Sequence, residues 1–252
     1  MTGDVPSMRY ERKWLPTGLS MAEVLVMVRR HPAAFRPAYP ERQVNNVYFD
    51  TPRLDHYFDH ISGNSARVKV RLRWYGEFNA FGASPVLELK FKRGSASWKE
   101  SFPWRGAPPR VARASGPLGW KESFPWPGAR LEEVLSHAHA PHGWQEEIDL
   151  PEAVRLRLRS LQPTLANRYH RHYFRSAVGG VRLTVDSNLG FFGVSASNRG
   201  LQRLAGDGLT TVLELKYHDS QTAAAAEIAS GFPFRVRRCS KYVLGIQHLD
   251  SR

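Results

Sequence analysis

Cysteine is almost absent from this chain: Cys239 is the single one in 252 residues. An intramolecular disulfide and a cysteine-rich zinc site are both excluded. No long apolar run is present either. The best, "MAEVLVMV" at Met21–Val28, is interrupted by Glu23 and is too short to cross a bilayer. The N-terminal residues lack the basic start and apolar stretch of a signal peptide. A soluble, cytoplasmic protein of a reducing compartment is therefore expected. No Gly-rich phosphate loop precedes a Lys-Ser/Thr pair, since "GDGLTT" near Gly206 reads as a turn, and no activated serine or cysteine stands out. Acidic residues are scarce: 23 Asp and Glu stand against 36 Lys and Arg, a formal charge of +13. Such a surplus points to an anionic partner, whether nucleic acid, phosphate polymer or acidic membrane.

With 42% apolar residues, the length suits one large domain, here 1–252, with a core of its own. The hydrophobic pattern is mixed. Met8–Leu15 reads as a strand. Ser20–Arg30 reads as an amphipathic helix capped by Ser20, with Met21, Val24, Leu25 and Val28 on one face. Pro32, Pro37 and Pro40 then predict a loop. "NNVYFDTP" is a strand that ends at Pro52, and "RLDHYFDHISG" is a short helix closed by Gly63. "ARVKVRLRWYG" and "PVLELKFKRG" alternate basic and apolar residues. Leu131–His139 and Glu152–Leu161 are helical in pattern. "LANRYHRHYFRS", a Gly-Gly turn and "VRLTVDSNL" form a predicted hairpin. "TTVLELKY" is a further strand, followed by an alanine-rich helix and the segment "RVRRCSKYVLGIQHL". Many antiparallel strands with a few helices make the fold class α+β.

"WKESFPW" occurs at Trp98–Trp104 and again at Trp120–Trp126. A strand holds one register at a time. The first copy, directly after "LELKFKRG", is assigned to the sheet. The second, within 105–126, is assigned to a surface insertion.

The alternation carries the chemistry. Side chains two apart on a strand share a face. Lys69, Arg71 and Arg73 form one row, and Glu88, Lys90 and Lys92 a second. Arg9, Glu11 and Lys13 form a third, Arg182, Thr184 and Asp186 a fourth, Glu214 and Lys216 a fifth. Any half-exposed sheet alternates polar with apolar, but rows dominated by Lys and Arg would repel one another if they faced inward. A phosphate chain would neutralise them, with Mg²⁺ or Mn²⁺ held by the interspersed carboxylates. "VLELK", present at Val86–Lys90 and Val212–Lys216, then places a metal-holding Glu and a phosphate-holding Lys on the same face.

These pieces, "RYERKWL", "NNVYFDTPRLDHY", "KVRLRWYG", "LELKFKRG" with "WKESF", "RYHRHYF", "VRLTVDSNL", "VLELKY" and "SKYVLGI", occur in an order that resembles the VTC (vacuolar transporter chaperone) domain. That is the polyphosphate polymerase branch of the CYTH-like triphosphate tunnel metalloenzyme superfamily. The resemblance implies an antiparallel β-barrel forming a triphosphate tunnel with flanking helices. It implies basic liners at Lys13, Arg71, Arg73, Lys90, Lys99, Arg171 and Lys241, with Arg9 and Lys69 in the same rows. Tyr169 would donate to phosphate. Glu214 would be the principal metal ligand, with Glu11 and Glu88 behind it and Mn²⁺ or Mg²⁺ as cofactor. Lys121 is a rival to Lys99 because of the duplication. Where triphosphate-hydrolysing relatives often carry Glu-x-Glu-x-Lys, this chain has Arg9-Tyr10-Glu11-Arg12-Lys13, a departure that favours the polymerase branch. A companion phosphate-sensing domain is not evident in the sequence.

Three functions follow from these readings. The first is transfer of the terminal phosphoryl group of a nucleoside triphosphate, ATP by expectation, onto polyphosphate. The second is hydrolysis of tripolyphosphate or a nucleoside triphosphate in the same tunnel. The third is a non-catalytic module for polyphosphate or nucleic acid. No specific nucleic acid is expected, because basic residues there spread over a groove with aromatic platforms. Trp74, Tyr75, Trp98 and Trp104 are assigned to core or rim packing. His56 and His60 have the spacing of a zinc pair but no evident further ligand, so they are assigned to solvent. His137, His139 and His142 are placed in a loop. His170 and His172 should face away from Tyr169 and Arg171. Asp50 is read as a turn residue, Cys239 as a buried small apolar residue, and Asp186 as the partner of a neighbouring arginine or an aid to the metal.

Overall fold

The structure, a computed structural model, describes residues 9–79, 85–94, 96–103, 148–177, 179–194, 201–203 and 211–250. Its strands are β1 (Arg9–Trp14), β2 (Arg36–Asp50), β3 (Ala66–Tyr75), β4 (Val86–Arg93), β5 (Ala96–Pro103), β6 (Gln162–Arg175), β7 (Arg182–Val194), β8 (Leu201–Arg203) and β9 (Val212–His218). The α-helices are α1 (Met21–Arg30), α2 (Asp55–Ile61), α3 (Glu152–Leu158), α4 (Thr222–Ser230) and α5 (Lys241–Asp250). The predicted helix over Leu131–His139, the second "WKESFPW" copy with Lys121, and Trp104, His137, His139 and His142 lie outside the described residues.

Every strand pairing is antiparallel, in the order β1-β9-β7-β6-β2-β3-β4-β5, with β8 on β7. Among the described residues β1 and β5 remain the two edges of the sheet. Even so, the sheet is rolled. β1 and β4 are six places apart in that order, roughly 29 Å if flat at about 4.8 Å per strand. Yet Lys90 Nζ on β4 stands 3.4 Å from Glu11 Oε2 on β1. The opposite walls meet through side chains rather than through a closed hydrogen-bond ladder.

Local sequence explains the elements. Ser20 and Glu23 form a reciprocal capping box at the start of α1, which buries Val24 and Val28. Gly179 and Gly180, at φ 72° and 61°, supply the two positive φ values of a tight turn between β6 and β7. The loop expected from Pro37 and Pro40 is instead the first half of β2. That half is exposed and pairs only with β6, through register shifts on either side of Tyr39, while β3 joins β2 only from Val44. A proline costs no ladder bond at such an edge. The first "WKESFPW" copy supplies β5 as far as Pro103, after a turn with Gly94 at φ 59°.

Helices cover both faces. α1 and α4 pack with Trp14, Leu183, Val185, Leu213 and Leu215 in one apolar cluster. α3 joins Val68, Val70, Leu72, Trp74, Leu87 and Leu89 in a second. α2 and α5 lie with Tyr48, Leu165 and Tyr169, on the concave side. α5 sits so close to the sheet that a Cβ on Gly245 would fall 2.3 Å from the Leu165 side chain. Asp50 ties these two helices to the sheet. Its wholly buried carboxylate accepts the amides of Thr51 at 2.7 Å, His56 at 2.9 Å and Tyr57 at 3.0 Å, and the hydroxyl of Tyr242. The expected turn residue is thus a hub. Burial, and then this carboxylate, push the Tyr242 hydroxyl well above its ordinary pKa.

Removing that carboxylate would strand buried donors on both helices. Asp50→Ala should destabilise the protein by about 3 kcal/mol, and Tyr242→Phe by about 1 kcal/mol, in urea unfolding at neutral pH. Equal, negligible losses would contradict this role for Asp50.

Candidate functional site

The concave face encloses a channel of about 200 Å³, lined from β1, β2, β3, β4, β6 and β9 and from the two inner helices with the segment before α5. Lys13, Lys69, Arg71, Arg73, Lys90, Arg171 and Lys241 line it, together with Tyr169, Glu11 and Glu214. Strand alternation delivers the sheet residues, because their apolar neighbours Val70, Leu72 and Leu89 are buried on the other face. Lys99 and Glu88 are not among the lining groups. Arg9 opens β1, and its side chain lies outside the described residues.

Four carboxylates organise the cations. Glu88, 5% exposed, sits beneath three of them: Arg71 Nη2 and Lys99 Nζ at 2.7 Å, and Arg73 Nη1 at 3.5 Å. Burial raises its pKa, but Arg71 and Arg73 outweigh that and hold it at about 2. Asp186, fully buried, receives Arg171 through both its oxygens at 2.6 and 2.7 Å, and Lys241 Nζ at 2.5 Å. Burial is again outweighed, by Arg171 and then Lys241, leaving its pKa at about 2. Asp186 is therefore the arginine partner of the two roles the sequence left open. Asn46 extends the order inward, accepting from Arg73 Nε at 3.1 Å and donating to Asn167 at 2.9 Å.

Glu11 and Glu214 form the other acidic pair. They come from neighbouring strands, and Lys13 Nζ reaches both, at 3.1 and 3.8 Å. Lys216 stands 3.3 Å and Arg171 3.8 Å from Glu214. Burial opposes ionisation of Glu214, but Lys216, Lys13 and a hydrogen bond with Glu11 bring its pKa well below the usual range. Two adjacent carboxyl groups suit a hard divalent cation. Among the described residues no group of three or more His, Cys, Asp or Glu could hold a metal. From the described residues a cation here would have two protein carboxylates, with phosphate and water oxygens to complete its shell, as Mg²⁺ commonly takes. Glu88 fits that role poorly, since its three cations already occupy it.

Tyr169 is 2% exposed, with Lys241 Nζ 4.6 Å and the Arg171 guanidinium 5.2 Å from its ring centroid. Burial would raise its pKa, yet Arg171 and Arg73 prevail and lower it, which sharpens its hydroxyl as a donor. Lys69 differs from the other channel cations named above. Its Nζ donates to Ser240 Oγ at 2.9 Å, and among the described residues no carboxylate pairs with it. Burial, then Lys13 and Lys90, pull its pKa well below 10.5.

Several liners escaped the sequence reading. His60, assigned there to solvent, lines the channel from α2 and is held neutral, its pKa pushed down to about 3 by burial and by Lys69 and Arg67. His56 is also buried, with its backbone amide on Asp50. A solvent face was the wrong assignment because α2 packs on the inside of the roll. Ser240 and Cys239 reach the channel from the segment before α5, and the Cys239 carbonyl accepts from Lys13 Nζ at 3.3 Å. Cys239 is half-buried, packed against the apolar cluster of the inner helices on one side and lining the channel on the other. Arg67 was legible: it continues the row of Lys69. His170 is exposed and His172 pairs with Glu41, both away from the channel as expected. Trp74 is core, while Trp98 is 43% and Tyr75 42% exposed.

Known proteins add to this geometry. An adenylate-cyclase-like protein of Bacillus halodurans superposes with a TM-score of 0.50 at 14% identity, over 93% of this chain and 94% of that one. One from Vibrio parahaemolyticus gives 0.49 at 11%, over 94% and 98%. A Hippeastrum protein with a dominant triphosphatase activity gives 0.47 at 14%, over 95% and 96%. At 14% identity the likeness to the Bacillus protein speaks for the fold alone, and the other two carry no argument. No curated protein sequence matches the chain. The family model of the VTC domain matches residues 8–250, nearly the whole length, and the chain therefore belongs to the VTC domain family.

Proposed function

We propose that the protein transfers the terminal phosphoryl group of a nucleoside triphosphate, ATP in the first instance, onto the end of a polyphosphate chain held in the channel. The observation that carries this reading is the convergence of Arg71, Arg73, Arg171, Lys13, Lys69, Lys90 and Lys241 on one enclosed space whose lining acids are Glu11 and Glu214. Membership of an enzymatic family of triphosphate tunnel type supports it. A terminal oxygen of the acceptor phosphate forms the new P–O bond. The bond between the γ-phosphorus and the β,γ-bridging oxygen breaks, and its electron pair leaves on the nucleoside diphosphate. Such a transfer needs alignment and charge neutralisation more than a protein nucleophile.

In this reading Arg71 and Arg73, braced on Glu88, and Arg171 and Lys241, braced on Asp186, clamp non-bridging oxygens from two walls. Bracing fixes the guanidinium planes before the ligand arrives, so little ordering remains at the moment of transfer. Tyr169 donates to a phosphate oxygen. Lys69, with no carboxylate partner among the described residues, gains from an incoming anion. Glu214 and Glu11 would hold a divalent ion, which supplies further neutralisation of the phosphate charge. Lys99 strengthens Glu88 from the rim. β1 offers one glutamate, Glu11, where a second would stand at Arg9, a set that suits a phosphate acceptor better than a metal-activated water.

The test is incubation with ATP and Mn²⁺ followed by sizing of the products. Long polyphosphate supports the polymerase, and orthophosphate alone makes the protein a hydrolase. Arg71→Ala and Glu214→Ala should each lower kcat about 100-fold or more, and the Glu214 variant should need far more metal. Full activity in both would overturn the site.

Binding should also be linked to protons. The folded protein holds the pKa of Lys69 low, so a share of its amine is neutral at mildly alkaline pH. A bound phosphate restores the charge and takes up a proton. Calorimetry of tripolyphosphate binding in two buffers of different ionisation enthalpy should show this uptake, with affinity falling as pH rises toward 10.5. Lys69→Gln should remove the uptake, and unchanged uptake in that variant would refute the assignment.

A further inference from the structure

Beside the channel mouth lies a groove of about 460 Å³ that the phosphate chemistry does not use. Its volume falls in the range of small-molecule sites. We propose that this groove receives the base and ribose of the nucleoside triphosphate whose phosphates lie in the channel, with the base stacked on Trp98. The inference rests on the channel binding such a triphosphate.

The two spaces share part of their lining at the end of the sheet, where Phe91 and Trp98 stand on the face opposite Lys90. Arg67, Val68 and Lys92, at the open end of the β3–β4 hairpin, line both. Arg67 and Lys92 make no ion pair among the described residues, and the Arg67 guanidinium meets only the Asn64 carbonyl, at 2.8 Å. They stand where the phosphates of a nucleotide would give way to its sugar.

Past that junction the lining changes character. Phe91 and Trp98 are direct cross-strand partners, with ring centroids 5.1 Å apart and planes 15° from parallel. The guanidinium of Arg157 on α3 lies 5.5 Å from the Phe91 centroid. The indole is held in place from below by Phe91 and at its edge by Glu100, which accepts its N–H at 3.4 Å. Large aromatic side chains are normally covered, yet this one stays 43% exposed on a fixed platform. A flat indole gives a phosphate chain nothing to bind, whereas every nucleobase has a face to lay on it. The Asp59 carboxylate in the same groove offers an acceptor to an exocyclic amino group. Arg93 and Arg157 also line the groove, so a track for the polymer is the alternative that the test separates from a base site.

The experiment compares a non-hydrolysable ATP analogue with tripolyphosphate by calorimetry, with long-chain polyphosphate as a control, on the wild-type chain and on Trp98→Ala and Trp98→Phe. The wild type should bind the nucleotide more tightly than its charge alone explains. Trp98→Ala should weaken the nucleotide about tenfold and leave tripolyphosphate unchanged, while Trp98→Phe keeps most of the preference. The unchanged tripolyphosphate affinity shows that the variant is folded. If Trp98→Ala has no effect on the nucleotide, or weakens both ligands equally, or weakens only long polyphosphate, the base site is overturned and the channel reading stands. If neither ligand binds the wild type, the channel reading falls, and this inference with it.

Discussion

Like charges facing one another across a closed space repel, and the whole arrangement depends on how that repulsion is held. Two buried carboxylates do most of it. Glu88 and Asp186 lie behind the channel wall, each carrying two or three cations, and each remains ionised at about pKa 2 despite burial. Their attraction fixes Arg71, Arg73, Arg171 and Lys241 in place and leaves outward-facing N–H groups for a ligand. Breaking such a pair from one side is costly, because the partner charge stays buried. The same pairs that let the sheet roll up therefore also preorganise the site. What they leave without an ion pair among the described residues, at Lys69, Arg67 and Lys92, is the charge that an anion would balance.

The inner helices complete this design. A rolled sheet with two free edges would leave its concave face open. α2 and α5 close it, and both are fastened through Asp50, which binds amides of α2 and the Tyr242 hydroxyl of α5. Tyr242 in turn stacks on Tyr48, a channel liner, with centroids 5.1 Å apart. Through this one carboxylate, packing of the helices and the position of His60, Ser240 and Lys241 become a single structural event.

Much of this was legible from strand periodicity. The row of Lys69, Arg71 and Arg73 and the repeated Val-Leu-Glu-Leu-Lys pattern specify which side chains share a face, and the roll of the sheet then determines what they meet. The β6–β7 turn follows from its glycine pair, and α1 from its capping box. Periodicity fails where an element is not a strand. His60 enters from a helix, and Ser240 from the segment just before one, whose docking depends on long-range packing, so no local pattern marks them. It also cannot separate equivalent carboxylates. Glu88 and Glu214 occupy the same place in the same five-residue phrase, yet one braces arginines while the other stands beside a second glutamate. The difference lies in their cross-strand neighbours: Arg71 and Ser101 for Glu88, Lys13 and Thr184 for Glu214. Pro37 and Pro40 misled for a related reason, since only sheet order reveals that the first half of β2 is an edge.

The central claim is spatial: cations from separate strands serve one enclosed anion site. A crystal structure with tripolyphosphate tests it most directly. The account predicts ordered phosphates inside the roll, touched at once by Arg71 from β3, Arg171 from β6 and Lys241 from α5. Tripolyphosphate ordered solely on the outer surface, with those three side chains still closed on Glu88 and Asp186, would contradict it.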